Sequence, residues 1–194
     1  MFEIPVSLRA GEAQLNIRNR GDFRMVLDCF TALNDVELEK EERVYSALII
    51  FYEDFNKLED LMHFPWLNEA VKKMYWFFNC GDDSGVGANK HRKLIDWDGD
   101  SQLIASAVNK VANMEIRSTE YLHWWTFMGY YLAIGESPLA TIVGIRSKIM
   151  EGKKLEKYEK KFRSDNPQYF IWDNKSIEDK EAEEAVMSLW NSGS

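Results

Sequence analysis

The sequence predicts a mostly α-helical protein, a helical bundle-like domain with a short N-terminal β-hairpin and a C-terminal helical arm. Three observations carry this. Apolar residues recur at helical spacing from position 22 onward, beginning with Phe23, Val26, Leu27 and Phe30 at i, i+3, i+4 and i+7. Alternation of period two is confined to the first eighteen residues. Beyond Gly152 the broad apolar faces give way to a narrow stripe among lysines. On that change the chain divides into a helical core with its hairpin, 1–152, and a charged helical arm, 153–194.

Ile4 to Leu8 and Gln14 to Arg18 alternate around Arg9-Ala10-Gly11-Glu12, a hairpin with the glycine in its turn. Asp22 is placed to cap the helix that begins with Phe23. A second helix, about Glu39 to Asn56, turns apolar nearly all round from Ala47 to Tyr52 and belongs at the centre of the core. Pro65 suits the first turn of a third helix, with Leu67, Val71, Met74 and Phe78 on its inner face and an end near Gly81.

After a loop over Gly81 to Lys90, Asp100 or Ser101 caps a helix bearing Leu103, Ile104, Ala107, Val108 and Val111. Ser118 or Thr119 starts another, with Tyr121, Trp124, Trp125, Phe127, Met128 and Tyr131, that stops at Gly135. Ser137-Pro138 opens the next, through Ile142, Val143 and Ile149. In the arm, Leu155, Tyr158 and Phe162 form a stripe flanked by Lys153, Lys154, Lys157, Lys160, Lys161 and Arg163, a helix for solvent or for a partner. Asn166-Pro167 breaks it, Tyr169 to Trp172 follow, and Ser176 with Asp179 starts an acidic terminal helix.

Composition bounds the function. With 45% hydrophobic and 13% aromatic residues in 194, the chain can bury a core of its own. A net charge of −8 disfavours general attraction to nucleic acid or to an anionic membrane. The start has an acid at Glu3 and no long apolar run, so no export signal is expected; no stretch reaches the roughly 20 residues of a membrane span. Cys29 and Cys80 offer neither a disulfide framework nor a zinc knuckle and read as reduced thiols.

No catalytic constellation emerges. Asp96-Trp97-Asp98-Gly99-Asp100 begins like a calcium loop, but the sixth and twelfth positions are Ser101 and Ala107 instead of glycine and a bidentate acid. The plainer reading has Asp100 capping a helix whose positive end the other acids favour. The run from Gly81 to Lys90 has Val86 and Gly87 where a phosphate loop needs glycine and lysine. His63, His91 and His123 stand apart, and His123 beside Trp124 and Trp125 reads as the polar edge of an aromatic core. The lysines of the arm, with Tyr158 and Trp172 to stack on bases, would suit nucleic acid were Glu151, Glu156 and Glu159 not interleaved among them. No cofactor is implied.

Asn16-Ile17-Arg18 leading to Asp22-Phe23-Arg24, then Asp96-Trp97-Asp98, and above all Leu122-His123-Trp124-Trp125-Thr126-Phe127, resemble a bacteriophage family. This is the gene-product-fifteen family of tail proteins in siphophages of Gram-positive hosts, and the likeness covers about residues 1 to 165. Thr126 stands where members often carry lysine, and the terminal acidic run lies outside the pattern. The resemblance implies a small helical protein encoded beside the tape-measure gene, acting in tail assembly in the cytoplasm of the infected cell as a chaperone, with no enzymatic residue.

Two function classes follow. One is a protein-binding assembly factor for the tape-measure or other tail proteins, open to self-association, in which Leu155, Tyr158, Phe162 and Trp172 would meet the partner. The other is a metal-dependent hydrolase built on Asp96, Asp98, Asp100 and His123. The first is the stronger expectation, with a nucleic-acid-binding accessory role as a further alternative.

Overall fold

The computed structural model describes residues 3–82 and 94–171. Among them it shows a two-stranded antiparallel sheet and eight α-helices, which agrees with the predicted fold class. Strand β1 is Ser7–Ala10 and β2 is Ala13–Asn16. The helices are α1 (Phe23–Leu33), α2 (Lys40–Phe51), α3 (Leu58–Met62), α4 (Leu67–Phe78), α5 (Ser101–Ala112), α6 (Trp124–Leu132), α7 (Pro138–Met150) and α8 (Lys157–Asp165). The chain forms two compact units; the first holds 3–82 and 121–128 of the described residues, the second 94–120 and 129–171.

In the first unit the hairpin pairs Leu8 with Leu15 and Ala10 with Ala13 across a turn at Gly11. Gly11 has φ +56, and a Cβ there would lie 2.2 Å from the Trp66 ring, so only glycine fits. Both strands are four residues long and lie closer to the turn than the alternation suggested: residues 3–5 leave the ladder, and beyond Asn16 the chain turns aside as Ile17 bridges to Tyr52 and Arg18 opens a 3-10 turn. Asp22 caps α1 as expected, accepting from Arg24 N at 3.0 Å. The capping box of α2 is Glu39 with Glu42, whose carboxylate accepts from Glu39 N at 3.0 Å.

Helix α2 ends at Phe51, five residues before the expected Asn56. There Arg18 reaches its last carbonyls, donating to Ile49 O and Ile50 O at 3.1 Å and to Tyr52 O at 3.0 Å. The short α3 was not expected. Pro65 precedes α4 instead of lying in its first turn, because Trp66 takes the N-cap position. At the other end Gly81 N donates to Trp76 O and Cys80 N to Phe77 O, both at 3.0 Å. In this Schellman arrangement Cys80 (φ 55) holds the left-handed position usually given to glycine. Val26, Cys29, Ala47, Leu48, Phe51, Met74 and Phe77 are sealed in the core between α1, α2 and α4. Burial pushes the Cys29 thiol up, so it is no nucleophile.

In the second unit, Ile104, Ala107 and Val108 line the buried face of α5 as expected. Ser137 caps α7, accepting from Ala140 N at 3.1 Å, with Pro138 at the first helical position. Ile142 and Ile145 of α7 meet Phe170, and Leu103, Ile149, Leu155, Phe162 and Tyr169 pack around them. Residues 153–171, assigned to the arm from sequence, thus pack on α7, and the rest of that arm, 172–194, lies outside the described residues.

Helix α6 starts at Trp124, later than Ser118 or Thr119. Residues Ile116–Ser118 form a 3-10 turn, and His123 is held extended by a β-bridge to Asp22. A long-range strand pairing thereby overrides the local helical pattern around Tyr121.

Candidate functional site

The first unit gathers most of the residues that carried the resemblance: Asp22, Phe23, Arg24, Leu122, His123, Trp124, Trp125 and Phe127. Asp22 organises them. Besides capping α1, its carboxylate accepts from Leu122 N at 2.9 Å and pairs with the Arg24 guanidinium at 3.0 Å. Phe23 N donates in turn to Leu122 O at 2.9 Å, and the Phe23 ring stacks on Phe127 with centroids 4.7 Å apart. The two indoles finish α4, Trp124 Nε1 donating to Phe78 O at 3.0 Å and Trp125 Nε1 to Phe77 O at 2.9 Å. A helix end leaves such carbonyls without intrahelical partners, so adjacent tryptophans suit this place for their N–H groups as well as their area.

His123 is buried, and both ring nitrogens are engaged. Nδ1 accepts from Trp125 N at 3.1 Å, while Nε2 lies 3.1 Å from Pro5 O, which can only accept. The neutral Nε2–H tautomer is the one that fits both. Protonation would set a second N–H against that of Trp125. Burial accordingly holds the ring below its ordinary value, against the opposing pull of the Pro5 carbonyl and the Asp22 charge. Gly21, at φ +80, closes over this ring; a Cβ would come within 2.7 Å of Phe77 and 3.0 Å of His123 Nε2. His123 is therefore a fixed link between residue 5 and α6, not a general base.

A pH dependence follows from the depressed native pKa. Below about 6.5 the unfolded chain takes up a proton that the native ring resists, so stability is full above that pH and declines below it. The loss levels off once the native ring also titrates. The melting temperature should fall between pH 7 and 5.5 in the parent and less in His123→Gln, which keeps an amide donor near Pro5 O. Equal falls in the two proteins would show that His123 titrates normally.

The second unit places Asp96, Trp97 and Asp98 in a different role. Asp96 Oδ1 accepts from Gly99 N at 2.9 Å and Asp98 N at 3.2 Å, folding the loop on itself. Trp97 packs on Tyr131 with centroids 5.6 Å apart. Asp100 corrects the sequence reading. It stands at the N-cap position of α5, but its side chain makes no capping bond. Instead the carboxylate is 1% exposed and takes both ends of the Arg146 guanidinium, with Oδ1 3.0 Å from Nη2. Arg146 also donates from Nη1 to Leu94 O at 2.9 Å and from Nη2 to Tyr169 O at 2.7 Å. The signal was present, since Arg146 sits within the apolar stripe Ile142, Ile145, Ile149 of α7, where only a paired charge can be buried.

With Asp100 committed to Arg146, the loop lacks the third carboxylate on which the calcium-like reading of Asp96, Asp98 and Asp100 rested. Among the described residues, no group of three or more His, Cys, Asp and Glu could hold a metal ion. The hydrolase alternative loses its proposed centre. The Gly81 to Lys90 loop lies outside the described residues from position 83, as does His91.

The sequence profile of the family described as Bacteriophage Gp15 protein matches residues 4–169. The chain belongs to that family. The match runs from the hairpin through the 3-10 turn Pro167–Phe170 and stops short of Trp172 and the acidic terminus. No curated protein and no solved structure matches the chain.

The four residues expected to meet a partner fare differently in this Gp15 family member. Leu155 and Phe162 turn inward onto Ile142, Ile145 and Phe170. Tyr158 is 65% exposed, and Trp172 lies outside the described residues. Between the inward pair, Glu159 is also buried; Lys148 beside it, at 2.6 Å, holds its carboxyl below the usual carboxylate range. What α8 shows outward is mainly charge: Lys157, Lys160, Lys161 and Arg163 are all exposed. No described helix is long and apolar enough to cross a membrane.

Proposed function

We propose that the protein is a non-enzymatic tail-assembly chaperone that binds the tape-measure protein in the cytoplasm of the infected host. Membership of the bacteriophage Gp15 family makes it a phage protein. The observation that carries the reading further is how the motif is used. Asp22, His123, Trp124 and Trp125 direct their polar atoms at the chain's own backbone, so the shared residues build a scaffold rather than a reaction site.

A scaffold that serves assembly acts through its surface, and each unit displays large apolar side chains. The first exposes Val36 at 62% and Met62 at 71%; the second exposes Leu132 and Ile171, both at 73%. Such residues suit transient contact with apolar helices of a partner before that partner is packed in a tail.

Co-expression of the full chain with the tape-measure protein of the same phage tests this. The expected result is a higher soluble yield of the tape-measure protein and co-elution of the two in size-exclusion chromatography. A tape-measure protein that precipitates equally with and without the chain, and forms no complex with it, overturns the proposal. Co-elution with other tail proteins alone would move the assignment to them.

A further inference from the structure

We propose that the lysine face of α8 is a docking surface whose occupant is the acidic run at residues 178–184 of the same chain. The inference does not depend on the tail-assembly reading.

The argument begins with the orientation of α8. Leu155 and Phe162 pack against Ile142, Ile145 and Phe170, and Glu159 is buried with them, so one side of the helix is fixed inward. At about 100° per residue, Lys157, Lys160 and Lys161 then fall on the opposite side, and all three are exposed. Lys154 and Arg163, also exposed, extend the basic surface, and Tyr158 stands beside it at 65% exposure. Of the neighbouring acids, Glu159 is engaged with Lys148 and Glu151 with Lys153, each pair at 2.6 Å, and Glu156 accepts from backbone in the capping box of α8, while Asp165 stands exposed at the far end of the helix. A basic face of Lys157, Lys160, Lys161 and Arg163 thus stands on a chain whose net charge is −8.

The complementary charge is in the same sequence. Glu178, Asp179, Glu181, Glu183 and Glu184 are broken only by Lys180 and Ala182. Reach is sufficient. The 3-10 turn Pro167–Phe170 brings the chain back to the cluster that holds α8, and six residues, 172–177, separate Ile171 from the acidic run. Extended, such a tether spans about 20 Å, whereas a nine-residue helix is only about 13 Å long. A short tether also holds its ligand at an effective concentration of about millimolar, which lets individually weak surface ion pairs act together. Nucleic acid has no such advantage and must approach an acidic protein.

Zero-length carbodiimide coupling of the full chain at low ionic strength, with mass spectrometry of the monomer fraction, tests the pairing. Amide links from Lys157, Lys160 and Lys161 to Glu181, Glu183 and Glu184 are expected, with yields falling about fivefold or more in high salt. The links should vanish in K157E/K160E/K161E. They should return with reversed polarity when E181K/E183K/E184K is added, which mere loss of a surface charge would not produce. Because these lysines are exposed, the triple variant should melt like the parent; if it does not, K157Q/K160Q/K161Q serves in its place. Links confined to covalent dimers would assign the face to a second copy and overturn the proposal. So would an absence of links, whether or not the parent binds a mixed-sequence DNA duplex through these lysines.

Discussion

Removing either member of the buried Asp100–Arg146 pair is expected to destabilise the protein by about 3–5 kcal/mol, far more than the roughly 1 kcal/mol of a lost helix cap. Both side chains are at most 2% exposed, so Asp100→Ala takes the paired carboxylate away from a guanidinium held in the interior. Arg146→Met leaves the carboxylate with only the Asp96 amide at 3.1 Å in place of the guanidinium, and withdraws donors from Leu94 O and Tyr169 O. The pair is not thereby a large net source of stability, because desolvating both charges offsets most of their attraction. Hence the double variant Asp100→Ala/Arg146→Met should cost clearly less than the two single changes added together. Urea unfolding with an unchanged m-value measures all three. Single variants within about 1 kcal/mol of the parent would show that the pair is hydrated in solution.

This pair also marks the limit of what the sequence could say. Helical faces were readable because their signal is local: Phe23, Val26 and Phe30 on α1, and Ile104, Ala107 and Val108 on α5, are buried as their spacing requires. Caps that act within a few residues, Asp22 on α1 and Ser137 on α7, were equally plain. Failures occurred where a distant residue decides the outcome. Asp100 has cap chemistry and cap position, yet Arg146, 46 positions away, takes its carboxylate.

The same holds for α6, whose aromatic run looks helical from Thr119 until Asp22, 100 positions earlier, draws Leu122 and His123 into extended pairing. The arm shows a third limit. Of Leu155, Tyr158 and Phe162, the first and last pack on the Ile142 cluster while Tyr158 is exposed, and nothing in the spacing says which members of a stripe face their own chain. The motif is most legible as structure: Asp22 reads as a cap and accepts from Arg24 N, and Trp124 reads as core and is buried, its indole donating to Phe78 O.

Replacing Trp124 with Ala should cost about 3–5 kcal/mol, since its large indole is 1% exposed and its removal leaves a cavity in the core. The ring packs face to face on Phe127 at 5.5 Å and edge-on to Phe30 at 5.6 Å, so its loss removes contacts on two sides. It also removes the donor to Phe78 O at the last turn of α4. Trp124→Phe separates these contributions. It keeps an aromatic ring between Phe127 and Phe30 but leaves Phe78 O unpaired, and should cost about 1–3 kcal/mol, the range for an orphaned buried acceptor. Thermal melts of both variants should therefore rank parent, then Phe, then Ala. An alanine variant that melts within a degree or two of the parent would mean that Trp124 is accessible in solution. The His-Trp-Trp element would then be a contact surface for a partner and not part of the core.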